Sequence, residues 1–289
     1  MPSTRTDRPS TEVLRYAAFT DRGRGGNPAG VVLDARGLTD GQMLAVAAEV
    51  GFSETAFVTG GDTEEDLTVR YFSPLAEVPF CGHATVATAV ALADRLGPGR
   101  LLMSTPAGPV PVRTAAGPDG ITATLTSPPA STRPADPATV ARALGALRWA
   151  PTDLDPAYPV HVASAGASHL VVAARTAARL ADFAYDYPAL QRLMDEEGWT
   201  TVHAFRAESP TVFHARNAFP PGGVVEDPAT GAAAAAFGGY LRSLDLVTTP
   251  TRLTILQGAD MGRPSRLLVD LDADVDTVAV TGTATRMDR

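Results

Sequence analysis

A glutamate, a histidine and an aspartate stand out as side chains able to move a proton. Glu54 lies in Phe52-Ser53-Glu54-Thr55-Ala56-Phe57-Val58, a run of strand-forming type in which residues two apart share a face. That grouping sets its carboxylate beside Phe52, Ala56 and Val58, poor solvent for a charge, and a carboxyl group held near neutrality can take a proton and return it. A surface glutamate at a strand end is the plainer reading of the same spacing. His83 falls in the first turn of an Ala-rich helix, where the positive end of the helix dipole disfavours a second positive charge and suits a neutral, hydrogen-bonding imidazole. Asp227 precedes Pro228, and Asp at the N-cap with Pro at the first helical position accounts for that dipeptide without chemistry. Two helix N-termini facing each other across a cleft would still offer N–H groups to a substrate carboxylate. The same donors would stabilise the charge that develops when an adjacent proton leaves. Cys81 with His83 as its base reads poorly as a nucleophilic dyad, because two residues apart in a tight turn is awkward geometry and nothing local orients the imidazole. His161, His169, His203 and His214 have no metal-ligand spacing with Cys81, so no metal is expected.

The elements that must position these groups follow from periodicity. Val13 to Phe19 reads as a strand, Asp21 to Pro28 as a turn, and Val31 to Leu33 as the returning strand. Thr39 and Gln42 form a capping box for a helix that Gly51 stops. Leu67 to Phe72 alternates as a strand before a nearly all-apolar helix from about His83 to Leu96. Strand-like stretches run from Leu101 to Thr126, and the Pro/Ser/Thr-rich segment Ser127 to Asp136 reads as a joint. Helices at 138–147 and 187–197 then alternate with strands at 160–164, 169–173, 200–205 and 212–215. A second Ala-rich helix follows Asp227 and runs to about Leu244, and strands fill the remainder. Both halves deliver a Gly-containing turn to an apolar helix that only sheet could surround. The expected organisation is therefore two domains, residues 1–128 and 129–289, each a curved sheet around one central helix, with Cys81 and Asp227 at equivalent turn positions.

Composition removes several classes of function. The 289 residues carry a formal charge of −8, which argues against nucleic acid, whose affinity rests on basic side chains. Mean hydropathy is +0.02, no apolar stretch reaches bilayer length and the first ten residues are polar, so a cytoplasmic protein without a membrane partner is expected. The lone Cys81 cannot close an internal disulfide, in keeping with a reducing compartment. All the basic residues are Arg, and with no Lys the chain can form neither a pyridoxal aldimine nor a Schiff-base aldolase intermediate, nor a Walker-type phosphate loop. The Gly-rich stretch Gly23 to Gly30 lacks the strand-then-helix setting of a dinucleotide site.

Five segments occur in the order seen in the phenazine-biosynthesis (PhzF-like) isomerases, which the chain resembles along nearly its whole length. They are Gly26-Asn27-Pro28-Ala29-Gly30-Val31-Val32, Phe52 to Phe57, Pro79-Phe80-Cys81-Gly82-His83-Ala84-Thr85, Glu226-Asp227-Pro228-Ala229-Thr230-Gly231, and Gln257-Gly258 through Gly262-Arg263-Pro264-Ser265. The resemblance implies an α+β, diaminopimelate-epimerase-like fold of two similar domains with the active site between them. It implies Glu54 as the acid/base, with His83 and Asp227 in the same cleft, and Gly82, Gly231 and Ala232 against the substrate. It implies no cofactor, a small carboxylate as ligand, a homodimer, and a place in specialised-metabolite (antibiotic-type) biosynthesis. Two departures matter. Asp227 stands where the two-thiol epimerases of this fold carry a cysteine. Ala232 stands where the phenazine enzymes carry Ser, which puts their substrate in question. An amino-acid epimerase using Glu54 and Asp227, or a non-catalytic small-carboxylate-binding protein on the same fold, are the competing readings.

Overall fold

The computed structural model describes residues 11–63 and 65–288. Strand β1 (Leu14–Ala18) lies antiparallel to β2 (Asn27–Val32), so Asn27 and Pro28, expected in the turn, are already in the strand. Helix α1 (Asp40–Val50) starts on the expected capping box and ends at Gly51, whose φ of 70° is the left-handed cap that glycine accommodates. Next come β3 (Glu54–Gly60), β4 (Asp66–Phe72), the short β5 (Glu77–Val78), helix α2 (Gly82–Leu96), and β6 (Arg100–Thr105), β7 (Gly108–Gly117) and β8 (Gly120–Thr126). The segment read as a joint contains β9 (Ser131–Pro134), which pairs with β10 (His161–Ser164) beyond helix α3 (Pro137–Leu147). Then follow β11 (Ser168–Ala173), α4 (Ala177–Ala181), α5 (Tyr187–Glu197), β12 (Thr201–Ser209), β13 (Val212–Ala218) and β14 (Glu226–Asp227). Helix α6 (Gly231–Ser243) precedes β15 (Thr251–Gln257), β16 (Ser265–Leu271) and β17 (Ala279–Arg286). The result is a mixed α/β fold, rich in strands, with few helices.

Strand pairing forms a closed ring in the order β1, β2, β3, β4, β6, β7, β8, β17 and back to β1. Inside it lies α2, which packs on β1, β2, β3, β7, β8 and β17. A second run of strands, β9 to β13 and then β15 to β17, curves around α6, and the Ala130 N–H bonds the Asp276 carbonyl at 2.8 Å where its ends meet. The last strand serves both arrangements, because β17 pairs with β1 and β8 on one side and β16 on the other.

The apolar helices explain themselves once placed. His83 through Ala93 of α2 and Ala233 through Leu241 of α6 are all buried, so neither helix keeps a wet face. Small side chains let sheet approach from every direction. At Gly239 an added Cβ would stand 2.4 Å from the Ala130 Cβ, so glycine is what admits that strand edge. Both helices share one core, which includes Phe19, Phe205, Phe213 and Phe237, whereas α3 and α5 pack on the opposite faces of β11 and β12 through Leu170, Val172, Val202 and Ala204. Among the described residues no helix is long and apolar enough to cross a membrane.

Candidate active site

Glu54 is the first residue of β3, which starts two residues later than the expected strand, so Phe52 lies outside it. Its face is the expected one: Ala56 and Val58 join the core around α2, while Phe57 turns to α1. The carboxylate therefore emerges at the strand's start, against the first turn of α2. There Glu54 Oε2 lies 3.4 Å from His83 Nε2, with the two side chains only 13% and 7% exposed. Ser53 Oγ is 3.5 Å from the same nitrogen.

Cys81 corrects the sequence-based argument about the turn. As N-cap of α2 it sets its Sγ 3.3 Å from His83 Nδ1, so two residues apart is workable geometry after all, and Glu54 and Ser53 supply the orientation that appeared to be missing. The thiol is still a poor nucleophile, because burial, and next the neighbouring Glu54 charge, push it well above the ordinary cysteine range. Glu54, Cys81 and His83 offer ligand atoms within 4.8 Å of one another, a cluster that sequence spacing alone did not reveal. The thiol lies 3.3 Å from His83 Nδ1 and 3.8 Å from Nε2, the nitrogen that the carboxylate faces at 3.4 Å, so carboxylate, imidazole and thiol meet around one ring.

Asp227 is not the N-cap of α6. The cap is Thr230, α6 begins at Gly231, and Asp227 ends the two-residue strand β14, so its equivalence with Cys81 is of neighbourhood and not of helix position. Freed from capping, the carboxylate is tied into the protein. Asn27 Nδ2 donates to Oδ1 at 2.7 Å, and Thr230 Oγ1 donates to Oδ2 at 2.6 Å. Gln257 Nε2 donates to the Asp227 backbone carbonyl at 2.6 Å and to Thr230 Oγ1 at 3.1 Å. Gly258, beside it, has φ of 75°, and a Cβ there would stand 2.6 Å from the Pro228 carbonyl, so only glycine lets this strand end close on the Asp227-Pro228 segment. Burial pushes the Asp227 carboxyl up to about 6; the nearby His83 opposes that shift and Glu54 adds to it. The three proton-bearing groups thus share one electrostatic neighbourhood, although they come from three separate elements.

The small residues expected beside a ligand occupy the two helix starts: Gly82 opens α2, and Gly231 and Ala232 open α6. Neither helix has a side chain capping its first N–H groups, and the two helices approach each other. Uncapped N–H groups at two converging N-termini suit an anion such as a carboxylate. Sequence reasoning gave no role to Asn27, Thr230 or Gln257. A signal existed for Gln257, which follows Leu253 and Ile255 on one face of β15 and is the only fully buried polar side chain of that strand. Asn27 had none, since its partner is 200 residues away.

The phenazine biosynthesis-like (PhzC-PhzF) family model matches residues 16–289. The uncharacterized isomerase YddE of Escherichia coli K12 is 31% identical over 283 residues, covering 94% of this chain and 95% of that protein. The trans-2,3-dihydro-3-hydroxyanthranilate isomerase of Pseudomonas aeruginosa is 31% identical over 252 residues, covering 86% of each chain. The crystal structure of a PhzF-family phenazine biosynthesis protein from Bacillus anthracis superposes with a TM-score of 0.85 at 27% identity, covering 96% of both chains. With a family model spanning nearly the whole chain and full-length relatives of this kind, the protein belongs to the phenazine biosynthesis-like family and is an isomerase.

Proposed function

We propose that this isomerase shifts a proton within a small unsaturated carboxylic or amino acid, without a cofactor, with Glu54 as the acid/base. The observation that carries this reading is the contact of Glu54 with His83 in a nearly dry setting beside Asp227, at the meeting of two uncapped helix N-termini. The substrate carboxylate binds the first-turn N–H groups at Gly82, Gly231 and Ala232, and Glu54 takes the adjacent proton and returns it elsewhere on the conjugated system. His83, with Nε2 3.4 Å from Glu54 Oε2, faces the carboxylate and steadies it. Asp227, held in place by Asn27 and Thr230, shapes the opposite wall. In this reading the ring around α2 and the sheet around α6 are the two domains of a diaminopimelate-epimerase-like fold and the site is their cleft. The chain works as a cytoplasmic homodimer in a specialised-metabolite pathway.

Ala232 presents a methyl group and an N–H where a serine would add a hydroxyl, so the preferred substrate differs from that of the phenazine enzymes in the group facing this position. The direct test is solvent-deuterium incorporation, followed by mass spectrometry, into a panel of unsaturated carboxylic and amino acids that includes trans-2,3-dihydro-3-hydroxyanthranilate. Glu54→Gln should stop incorporation and leave binding intact. Full exchange by that variant would remove Glu54 from the chemistry. Epimerisation, with Glu54 and Asp227 as opposed acid and base, draws on the raised proton affinity of Asp227. Inversion at a single carbon in the product would decide for it.

A further inference from the structure

Facing α6 from the sheet is a second polar group of residues that the proposed chemistry does not use. His169, Thr201, His203 and Asn217 lie on the inner faces of β11, β12 and β13, and all four are 0% exposed. His169 Nδ1 is 2.8 Å from Thr201 Oγ1, which donates to Asn217 Oδ1 at 3.0 Å, and His203 Nδ1 lies 3.2 Å from the same amide oxygen. Three atoms of this hydrogen-bonded group have no protein partner: His169 Nε2, His203 Nε2 and Asn217 Nδ2. The element opposite cannot supply one, because α6 from Ala232 to Phe237 carries only alanines and the phenylalanine whose ring centroid is 4.8 Å from that of His203.

The hydrogen-bond pattern says what these atoms require. With the Thr201 hydroxyl donating to Asn217, the His169 Nδ1 must carry its hydrogen in order to donate to Thr201 Oγ1, and His203 Nδ1 must carry its own to donate to the amide oxygen. Both Nε2 atoms are then bare acceptors, and Asn217 Nδ2 is a donor. If the Asn217 amide is turned over, every role inverts and the three become two donors and one acceptor. Either set complements a single water, which can donate twice and accept twice. Leaving three buried polar atoms unpaired costs more than immobilising one water.

We propose that His169 Nε2, His203 Nε2 and Asn217 Nδ2 bind an internal water, making a buried polar layer directly beside Asp227. The adjacency follows from register. Asn217 pairs with Asp227 across β13 and β14, and residues directly opposite in a ladder project their side chains from the same face. The water completes the network that fixes the Asn217 side chain, the cross-strand neighbour of Asp227.

A crystal structure of the intact chain at a resolution that orders solvent should show a fully occupied water within hydrogen-bond distance of all three nitrogens. A dry site, with those nitrogens paired to one another or to nothing, would overturn the proposal. Long-range nitrogen-15 spectra of the same protein provide an independent reading. The two imidazoles should be neutral and in the same tautomer, both protonated at Nδ1 or both at Nε2, and unchanged between about pH 5 and 8. Opposite tautomers would break the single-water pattern and refute it.

Discussion

The two helix mouths that meet at the candidate site are built differently. At α2 the contacts of Glu54, Ser53 and Cys81 with His83 span 3.3 to 3.5 Å, the first two at Nε2 and the thiol at Nδ1. At α6 the Asp227 segment is fastened by bonds of 2.6 to 2.7 Å from Asn27, Thr230 and Gln257. One mouth is loosely hydrogen-bonded and the other is pre-organised. A group that must give up and regain a proton is served by loose contacts that tighten on a substrate, whereas a wall that shapes the site is served by a network already satisfied.

Breaking the loose side should cost the most turnover. Glu54→Gln should lower solvent exchange into substrate by about 10²–10⁴-fold, the usual worth of a positioned acid/base, with little change in thermal stability. Breaking the fastened side should instead appear in stability. Asn27→Ala or Gln257→Leu leaves buried polar groups of the Asp227 segment without partners and should lower unfolding free energy by about 1–3 kcal/mol, read by chemical denaturation. If either variant unfolds like the parent while Glu54→Gln does not, the contrast between the two mouths is wrong.

Acid sharpens the comparison by a smaller increment. Burial lowers His169 from 6.5 to about 3 and His203 from 6.5 to about 4, so below about 6.5 the unfolded chain binds two protons that the folded one refuses, and stability falls as pH falls. Asp227, raised from 3.8 to about 6, works the other way, since the folded form holds its proton between those values and stability falls as pH rises through them. Of these three groups two oppose one, and His161, also lowered by burial, adds to the two. Between about pH 6 and 4 the net loss on acidification should be on the order of 1 kcal/mol per pH unit, and Asp227→Asn should make it steeper. An acid profile that Asp227→Asn flattens would reverse the assigned sign. The smallest effect belongs to Cys81→Ala. With the thiol held protonated by burial, its loss should leave turnover nearly unchanged, and a large loss would promote the thiol from neighbour to participant.

Most elements were legible because their causes are local. The capping box at Thr39 and Gln42, the glycine stop at Gly51 and the helix 187–197 are written in neighbouring residues, and the structure follows them. The errors share a cause too. Asp227-Pro228 looks like a helix start because that preference is local, yet Asn27 and Gln257, 200 and 30 residues distant, claim the aspartate and move the start to Gly231. β9 hid in a Pro/Ser/Thr-rich stretch because only its pairing with β10 makes it a strand.

From its own residues the chain determined the kind of parts: two all-apolar, Ala-rich helices that had to be wrapped by sheet, turns of glycine leading into them, and one acidic side chain set among apolar neighbours. Periodicity and backbone preference act over a few residues, and they suffice for that much. Which polar groups share a dry space was decided by the tertiary structure alone. β17 returns from the end of the chain to close the ring around α2, and Asn27, His83 and Asp227 converge from distant segments. The reason is that proton affinity and hydrogen-bond satisfaction depend on distance and burial in space, to which sequence separation is no guide.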